Sequence, residues 1–224
     1  MLKKMLPKVI IHNSISIDGS LTNFEPNMEL HYQIAGNYRP NAHLIGSNTI
    51  TAGIELFGQQ TPEEEETDFK KPKRDLGLPY WVILDTKGIL KGLLHTCRRF
   101  EYCRDVIVLI SESTPKDYVE HLKERKYLYH FVGKERVNLE SALRLLSSDY
   151  KVKKVLTDTG STLSNLLLEQ GLASELSLLM HPVIVGKTSY NIFGNVSKSI
   201  NLRLVKKESY PKGHIWLVYK IINQ

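Results

Sequence analysis

Cysteine is almost missing from this chain: Cys97 and Cys103 are the only two, too few for a disulfide-stapled fold. His95 adds only a His-x-Cys-x5-Cys string, short of the four converging ligands that structural zinc takes. No metal site is expected. No run of about 18 apolar residues occurs, so no segment is read as bilayer-spanning. The opening Met-Leu-Lys-Lys-Met-Leu-Pro lacks an apolar core of signal-peptide length. A soluble, cytoplasmic protein with no membrane partner is the expectation. Several catalytic signatures are missing as well. No Gly-x-Gly-x-x-Gly follows a strand-like run, so the Rossmann fingerprint is absent. Gly186-Lys187-Thr188 ends like a P-loop, but the glycine that motif places five positions upstream is His181 here. No Gly-x-Ser-x-Gly elbow is present. His12 and His181 lie in strand-like runs and are read as packed side chains.

What is present is ordinary globular composition, 42% hydrophobic and 24% charged. The 224 residues correspond to about 1.5 average domains and are read as one domain, 1–224. There are 30 basic and 24 acidic side chains, a net charge of +6. Such a surplus points to an anionic partner: nucleic acid, membrane surface or a phosphorylated small molecule. The basic residues are dispersed, and the densest run, Lys70 to Arg74, follows Glu63-Glu64-Glu65-Glu66. No RNA-recognition or helix-turn-helix pattern accompanies them. A nucleic-acid-binding module is therefore the alternative reading, and no nucleic-acid partner is expected.

The element pattern is regular. Lys8–Ile17 reads as a strand stopped by Asp18-Gly19, and Ala42–Ile45 as a second. Tyr80–Leu84 follows, stopped by Asp85-Thr86-Lys87-Gly88. Val106–Ile110 is a continuous apolar run, as in a strand buried on both faces, and Tyr127–Val132 and Lys154–Thr157 complete the series. Helices are expected over Lys116–Arg125, after an Asn138 cap with Leu139, Ala142, Leu143 and Leu146 on one face, and from Leu163 with Leu166 and Leu167 inward. Gly171 ends the last of these. Residues 58–79 read as a solvated, charged surface loop, and Arg98-Arg99 as a basic surface turn. Strands alternating with helices give an α/β fold with helices on both faces of a mostly parallel sheet. Glu175–Met180, then Asn201–Lys206 and Ile215–Ile221 around Tyr210-Pro211-Lys212-Gly213, add a C-terminal antiparallel hairpin, so the sheet is mixed.

Two strand-to-helix junctions carry the chemistry. Gly46-Ser47-Asn48-Thr49 and Thr159-Gly160-Ser161-Thr162 each offer a glycine, free backbone N–H groups and a hydroxyl. A helix N-terminus draws anions through those N–H groups and its dipole, and ligands in open α/β folds gather at the carboxyl ends of strands. Each junction also reads as a simple N-cap. Asp18 and Asp158 sit just past strands, where a carboxylate meets a ligand or caps a turn.

Taken in order, these junctions resemble the riboflavin-biosynthesis reductase family, whose fold is dihydrofolate reductase-like and three-layered. Asn13-Ser14-Ile15-Ser16-Ile17-Asp18-Gly19 resembles its first strand and turn, and Leu44-Ile45-Gly46-Ser47-Asn48-Thr49 its strand with Gly-x-x-Thr. Val82-Ile83-Leu84-Asp85-Thr86 is similar to its Val-Asp-Ser segment, and Val137-Asn138-Leu139 to its Val-Asp-Leu helix start. Thr162-Leu163, Gly171-Leu172-Ala173-Ser174-Glu175-Leu176 and Pro182-Val183 match its Thr-Leu helix, Gly-Leu-x-x-Glu-Leu strand and Pro-Val segment. The likeness runs from about residue 8 to 222 in the family's own order.

The resemblance implies an NADPH-dependent reductase, a homodimer, acting on a phosphorylated heterocycle: reduction of the ribosyl side chain of a diaminopyrimidine phosphate to ribityl. Another pterin or dihydrofolate reductase and a non-catalytic NADPH-binding relative are the alternatives. Cofactor contacts are implied for Gly46, Ser47, Thr49, Gly160, Ser161, Thr162 and Leu163. Asp85, Thr86 and Lys87 are implied near the adenosine 2′-phosphate. Asn13, Asp18, Ser20, Arg39 and Asp158 are implied to face the substrate, with Asp18 and Asp158 as the catalytic carboxylates. The chain departs from the pattern twice. Gly-Gly-Gly is Thr159-Gly160-Ser161 here, and Asp-Gly-Lys is Asp18-Gly19-Ser20, so a lysine able to hold a substrate phosphate is missing.

Overall fold

A strand without a polar face must be buried on both sides, and Val106–Ile110 is fully buried along its whole length. The computed structural model describes residues 6–57 and 62–222. The chain divides into two units, one built on Pro40–Lys153, the other on Lys8–Arg39 and the chain from Lys154 onward.

In the first unit, β2 (Ala42–Gly46), β3 (Tyr80–Leu84), β4 (Val106–Ile110) and β5 (Leu128–Phe131) are all parallel, in the order β5-β4-β3-β2. Helices α2 (Ser47–Phe57), α3 (Leu94–Arg99) and α4 (Lys116–Glu124) connect them, and α5 (Leu139–Asp149) follows β5. Its core joins Ile45, Ile83, Leu94, Val108, Tyr118 and Leu122. Asn138 caps α5 as its residue type predicts, its side chain accepting the Ser141 N–H at 2.8 Å.

In the second unit, β1 (Lys8–Ser16) pairs in parallel with β6 (Lys154–Thr157) and β7 (Glu175–His181). The hairpin β8 (Asn201–Tyr210) and β9 (His214–Ile222) joins it antiparallel, in the order β6-β1-β7-β9-β8. Two helices belong here, α1 (Met28–Asn37) and α6 (Ser161–Glu169). Gly171 follows α6 at φ +64°, the left-handed stop expected of it. The α/β class, the mostly parallel strands and the C-terminal hairpin all agree with the sequence pattern.

Four expectations need correction. Leu166 on α6 is exposed, while Leu163, Leu167 and Leu168 are buried; the inward face is completed by Ser161, Ser164 and Asn165 and not by Leu166. Arg98 is no surface residue. It is 3% exposed, its Nε 3.0 Å from Asp105 Oδ1, and its guanidinium donates to the carbonyls of Asp68, Arg125 and Lys126. The 58–79 loop is a tied strap over its described part; residues 58–61 lie outside the described residues. Glu64 accepts from Arg125 (2.8 Å), and Asp68, buried in a short 3-10 turn, accepts twice from Arg99 (2.7 and 2.8 Å). The acidic run is thus answered by distant arginines and not by its neighbour Lys70–Arg74. Finally, α1 and α3 form where no element is expected. Among the described residues no helix is long and apolar enough to cross a membrane.

Candidate active site

Parallel pairing brings the carboxyl ends of β1 and β6 together, with Ile11 level with Thr157. Asn13, two residues further, meets the turn after β6. Its Nδ2 donates to the carbonyls of Asp158 (3.3 Å) and Thr159 (3.1 Å). Its Oδ1, an acceptor, and the Thr159 hydroxyl, a donor or acceptor, are buried with no partner in the protein. Gly160 is the N-cap of α6, and no side chain caps that helix. A Cβ placed on Gly160 would meet nothing within 4 Å, so the backbone lies open to an approaching anion. Ser161 Oγ is 2.5 Å from the Tyr190 hydroxyl. Thr162 is exposed beside it, whereas the Leu163 side chain packs in the core and offers the site only its N–H.

Asp158 has a second neighbour. Its Oδ2 lies 3.6 Å from His31 Nε2, on α1. His31 Nδ1 is 3.0 Å from Ser14 Oγ, and its ring stacks on that of His12 with centroids 4.4 Å apart. His12 is wholly buried, and desolvation brings its pKa down to about 3, so the ring is neutral. Trp216 Nε1 donates to Ser177 Oγ (2.8 Å), Ser177 donates to His12 Nδ1 (2.9 Å), and His12 Nε2 donates to the His31 carbonyl (3.2 Å). That network assigns the His12 proton to Nε2. Tyr32 meets the His31 ring edge-on; burial, then the Asp158 charge, raises its hydroxyl pKa.

Asp18 is placed differently. Its carboxylate accepts from Ser16 Oγ (2.6 Å) and from the N–H groups of Val185 (3.1 Å) and Gly186 (2.9 Å). The Ser16 hydroxyl, then those amides, hold its pKa down at about 2. It fastens a loop. Ser20, fully buried, does the same: its hydroxyl donates to the Thr22 carbonyl and accepts the Tyr190 N–H at 2.8 Å. Arg39 is exposed with φ +47°. It follows Tyr38, whose carbonyl accepts from Lys154 at the start of β6, while Asp158 follows the end of that strand. The structure brings Asn13, Asp158, Gly160 and Ser161 together and leaves Arg39 apart from them.

In the first unit, Gly46 closes β2 and α2 starts at Ser47, with open space where a Gly46 Cβ would stand. Thr49 is half-buried in the first turn. Gly46 is level with Leu84 of β3, so the Asp85 turn lies at the same strand ends. The Asp85 carboxylate is buried and occupied, accepting from the N–H groups of Ile89 (3.1 Å) and Leu90 (3.0 Å). Half-buried Thr86 and exposed Lys87 remain available in that turn. His181 and the buried cysteines are structural: His181 Nε2 accepts the Asn27 N–H, and burial pushes the Cys97 and Cys103 thiols up to about 11 and about 12. Gly186–Thr188 forms a 3-10 turn, with no helix behind it for a P-loop.

Three residues of the second-unit cluster, His31, Tyr32 and Tyr190, escape the sequence reading. Asn27 caps α1 by accepting the Leu30 N–H at 3.0 Å, and Leu30, His31, Ile34 and Ala35 form its buried face, a face whose histidine interrupts the apolar period.

A model of the RibD C-terminal domain matches residues 7–216, nearly the whole described chain. The chain belongs to the RibD C-terminal domain family. Two members of similar length carry the same name, 2,5-diamino-6-ribosylamino-4(3H)-pyrimidinone 5′-phosphate reductase. That of Archaeoglobus fulgidus is 23% identical over 193 residues, covering 81% of this chain and 83% of the relative. That of Methanothermobacter thermautotrophicus is 24% identical over 231 residues, covering 96% and 97%. Among solved structures, a pyrimidine reductase-like protein of Corynebacterium diphtheriae superposes with a TM-score of 0.71 at 20% identity, covering 97% of this chain and 93% of the other. The riboflavin biosynthesis reductase Rib7 of Saccharomyces cerevisiae gives 0.69 at 15% identity, covering 97% and 90%. The family fold is the dihydrofolate reductase-like one.

Proposed function

We propose that this chain is an NADPH-dependent reductase of riboflavin biosynthesis, converting the ribosylamino side chain of a diaminopyrimidine 5′-phosphate to ribitylamino. The family match over residues 7–216 carries the reading, supported by two relatives of that name matched over most of their length. The same span supports treating 1–224 as one reductase domain.

The residues fit a phosphate-bearing cofactor. The second unit offers an uncapped helix N-terminus at Gly160 with buried, unpartnered Thr159 Oγ1 beside it. The N–H groups of Ser161, Thr162 and Leu163 would hold an anionic part of the cofactor there. The first unit offers Gly46, Ser47 and Thr49, and Thr86 with Lys87 for a 2′-phosphate. When bound, a reduced nicotinamide supplies a hydride. Opening the ribosyl ring breaks its C1′–O bond, leaves the oxygen as a hydroxyl and gives a C=N bond, whose reduction by hydride at carbon also requires a proton at nitrogen. Asp158 is the carboxylate we assign to orienting the pyrimidine and relaying that proton, directly or through water. Asp18, with a pKa of about 2 and three donors of its own, keeps its charge at neutral pH and holds the 185–186 loop in place. Asn13 fixes the Asp158 backbone.

The test is direct. NADPH at 100 times its Kd stabilises the protein by about 2.7 kcal/mol, and reduced-nicotinamide absorbance falls on adding the diaminopyrimidine phosphate. No thermal shift with NADPH overturns the cofactor assignment. Turnover with dihydrofolate and none with the pyrimidine overturns the substrate.

A further inference from the structure

A carboxylate that must orient a substrate works only if it is itself held still, and Asp158 is braced from two elements. Asn13 on β1 bonds the carbonyls of Asp158 and Thr159; His31 on α1 reaches the carboxylate, Nε2 to Oδ2 3.6 Å. The His31 ring has little freedom. Ser14 Oγ sits at 3.0 Å from Nδ1, the His12 ring stacks on one side, and Tyr32 meets it edge-on. The tautomer that satisfies both ends has Ser14 donating to Nδ1 and the Nε2 proton directed at Asp158. His12 is fixed through Ser177 and Trp216, and, being neutral, it places no positive charge against His31. Ser14, His31 and Asp158 thus form a line of polar groups ending at the carboxylate, on a helix that sequence periodicity does not reveal.

We propose that His31 is a positioning residue for the reduction, holding the Asp158 carboxylate in its working orientation through Nε2. The inference rests on the role given to Asp158 above. It places no contact between His31 and substrate or cofactor, so its loss acts on turnover through Asp158 and leaves cofactor binding alone.

The experiment is a double-mutant cycle on the full chain, joining His31→Leu with Asp158→Asn and adding His31→Gln, whose amide nitrogen stands close to where Nε2 does. Steady-state kinetics with NADPH and the diaminopyrimidine phosphate are read with the NADPH Kd and the melting temperature. Loss of an orienting partner costs about 10-fold to 100-fold in activity. The expected result is a fall of that order in kcat for His31→Leu, an unchanged NADPH Kd, substantial recovery in His31→Gln, and no further fall when His31→Leu is added to Asp158→Asn. If His31→Leu does not fold, His31→Asn, polar but too short to reach Asp158, takes its place. Wild-type kcat in His31→Leu, equal losses in His31→Leu and His31→Gln, or strict additivity with Asp158→Asn overturns the positioning role while leaving Asp158 in place. Wild-type kcat in Asp158→Asn, or no turnover by the wild type, overturns the reading of Asp158 and the inference with it.

Discussion

At the scale of single residues, like side chains carry unlike duties because their surroundings differ. Asp18 and Asp158 both follow a strand, yet the first is consumed by Ser16 and two backbone amides, while the second faces His31. Gly46 and Gly160 matter for the empty space beside them, not for an unusual φ. Among the histidines, His12 has a measurable consequence. Its folded pKa of about 3 lies below the ordinary imidazole value of 6.5, so between those values the unfolded chain binds a proton that the native state refuses. Stability is therefore lost as pH falls from about 6.5 towards 3, by up to about 1.4 kcal/mol per pH unit from this residue. Urea unfolding at several pH values checks this; the slope is expected to flatten in His12→Gln, measured against that variant's own stability at pH 7.

At the scale of elements, most strands, four to ten residues long, were legible because short β-branched, apolar runs have few other ways to be buried. Strands β3, β4 and β6 begin and end at the residues expected from the sequence. Helices α1 and α3 were not legible. The buried face of α1 includes His31, and that of α3 includes His95 and Arg98; a core-facing polar residue interrupts the apolar period on which such a reading depends. The charged strap was misread for a related reason. Composition reports charge, but the arginines that answer Glu64 and Asp68 lie 61 and 31 positions away. Arg98 is the sharpest case. Truncating Arg98 to Ala strands Asp105, 1% exposed, without its counter-charge, and a buried pair broken in this way costs about 3–5 kcal/mol. Chemical denaturation is expected to show a loss of that size, with a smaller one in the surface pair Lys91→Ala with Asp117.

At the scale of the molecule, the +6 charge first suggested a polyanion, and what supports a ligand instead is local: helix N-termini, a few hydroxyls and one exposed lysine in a turn. The homodimer that the family resemblance implies is kept as a proposal, and β8 is the element that supports it. This outermost strand of its unit exposes Leu202, Leu204 and Val205, and Ile222 on β9 is exposed as well. A strand with one open edge and exposed apolar side chains invites a partner. Light scattering on the purified chain is expected to give twice the mass of the monomer, and Leu204→Lys to shift it towards one. A monomeric wild type would remove the dimer from the proposal.

The sequence by itself determined the α/β order, the limits of β3, β4 and β6, the Asn138 and Gly171 helix ends and the glycine junctions, because each depends on neighbours within a few positions. Only tertiary structure decided that Asp18 is spent while Asp158 is braced, that Arg98 lies inside, and that a histidine from a helix without clear periodicity stands beside the carboxylate. Those outcomes turn on which distant groups meet, and polar partners 127 or 167 positions apart leave no local trace in the chain.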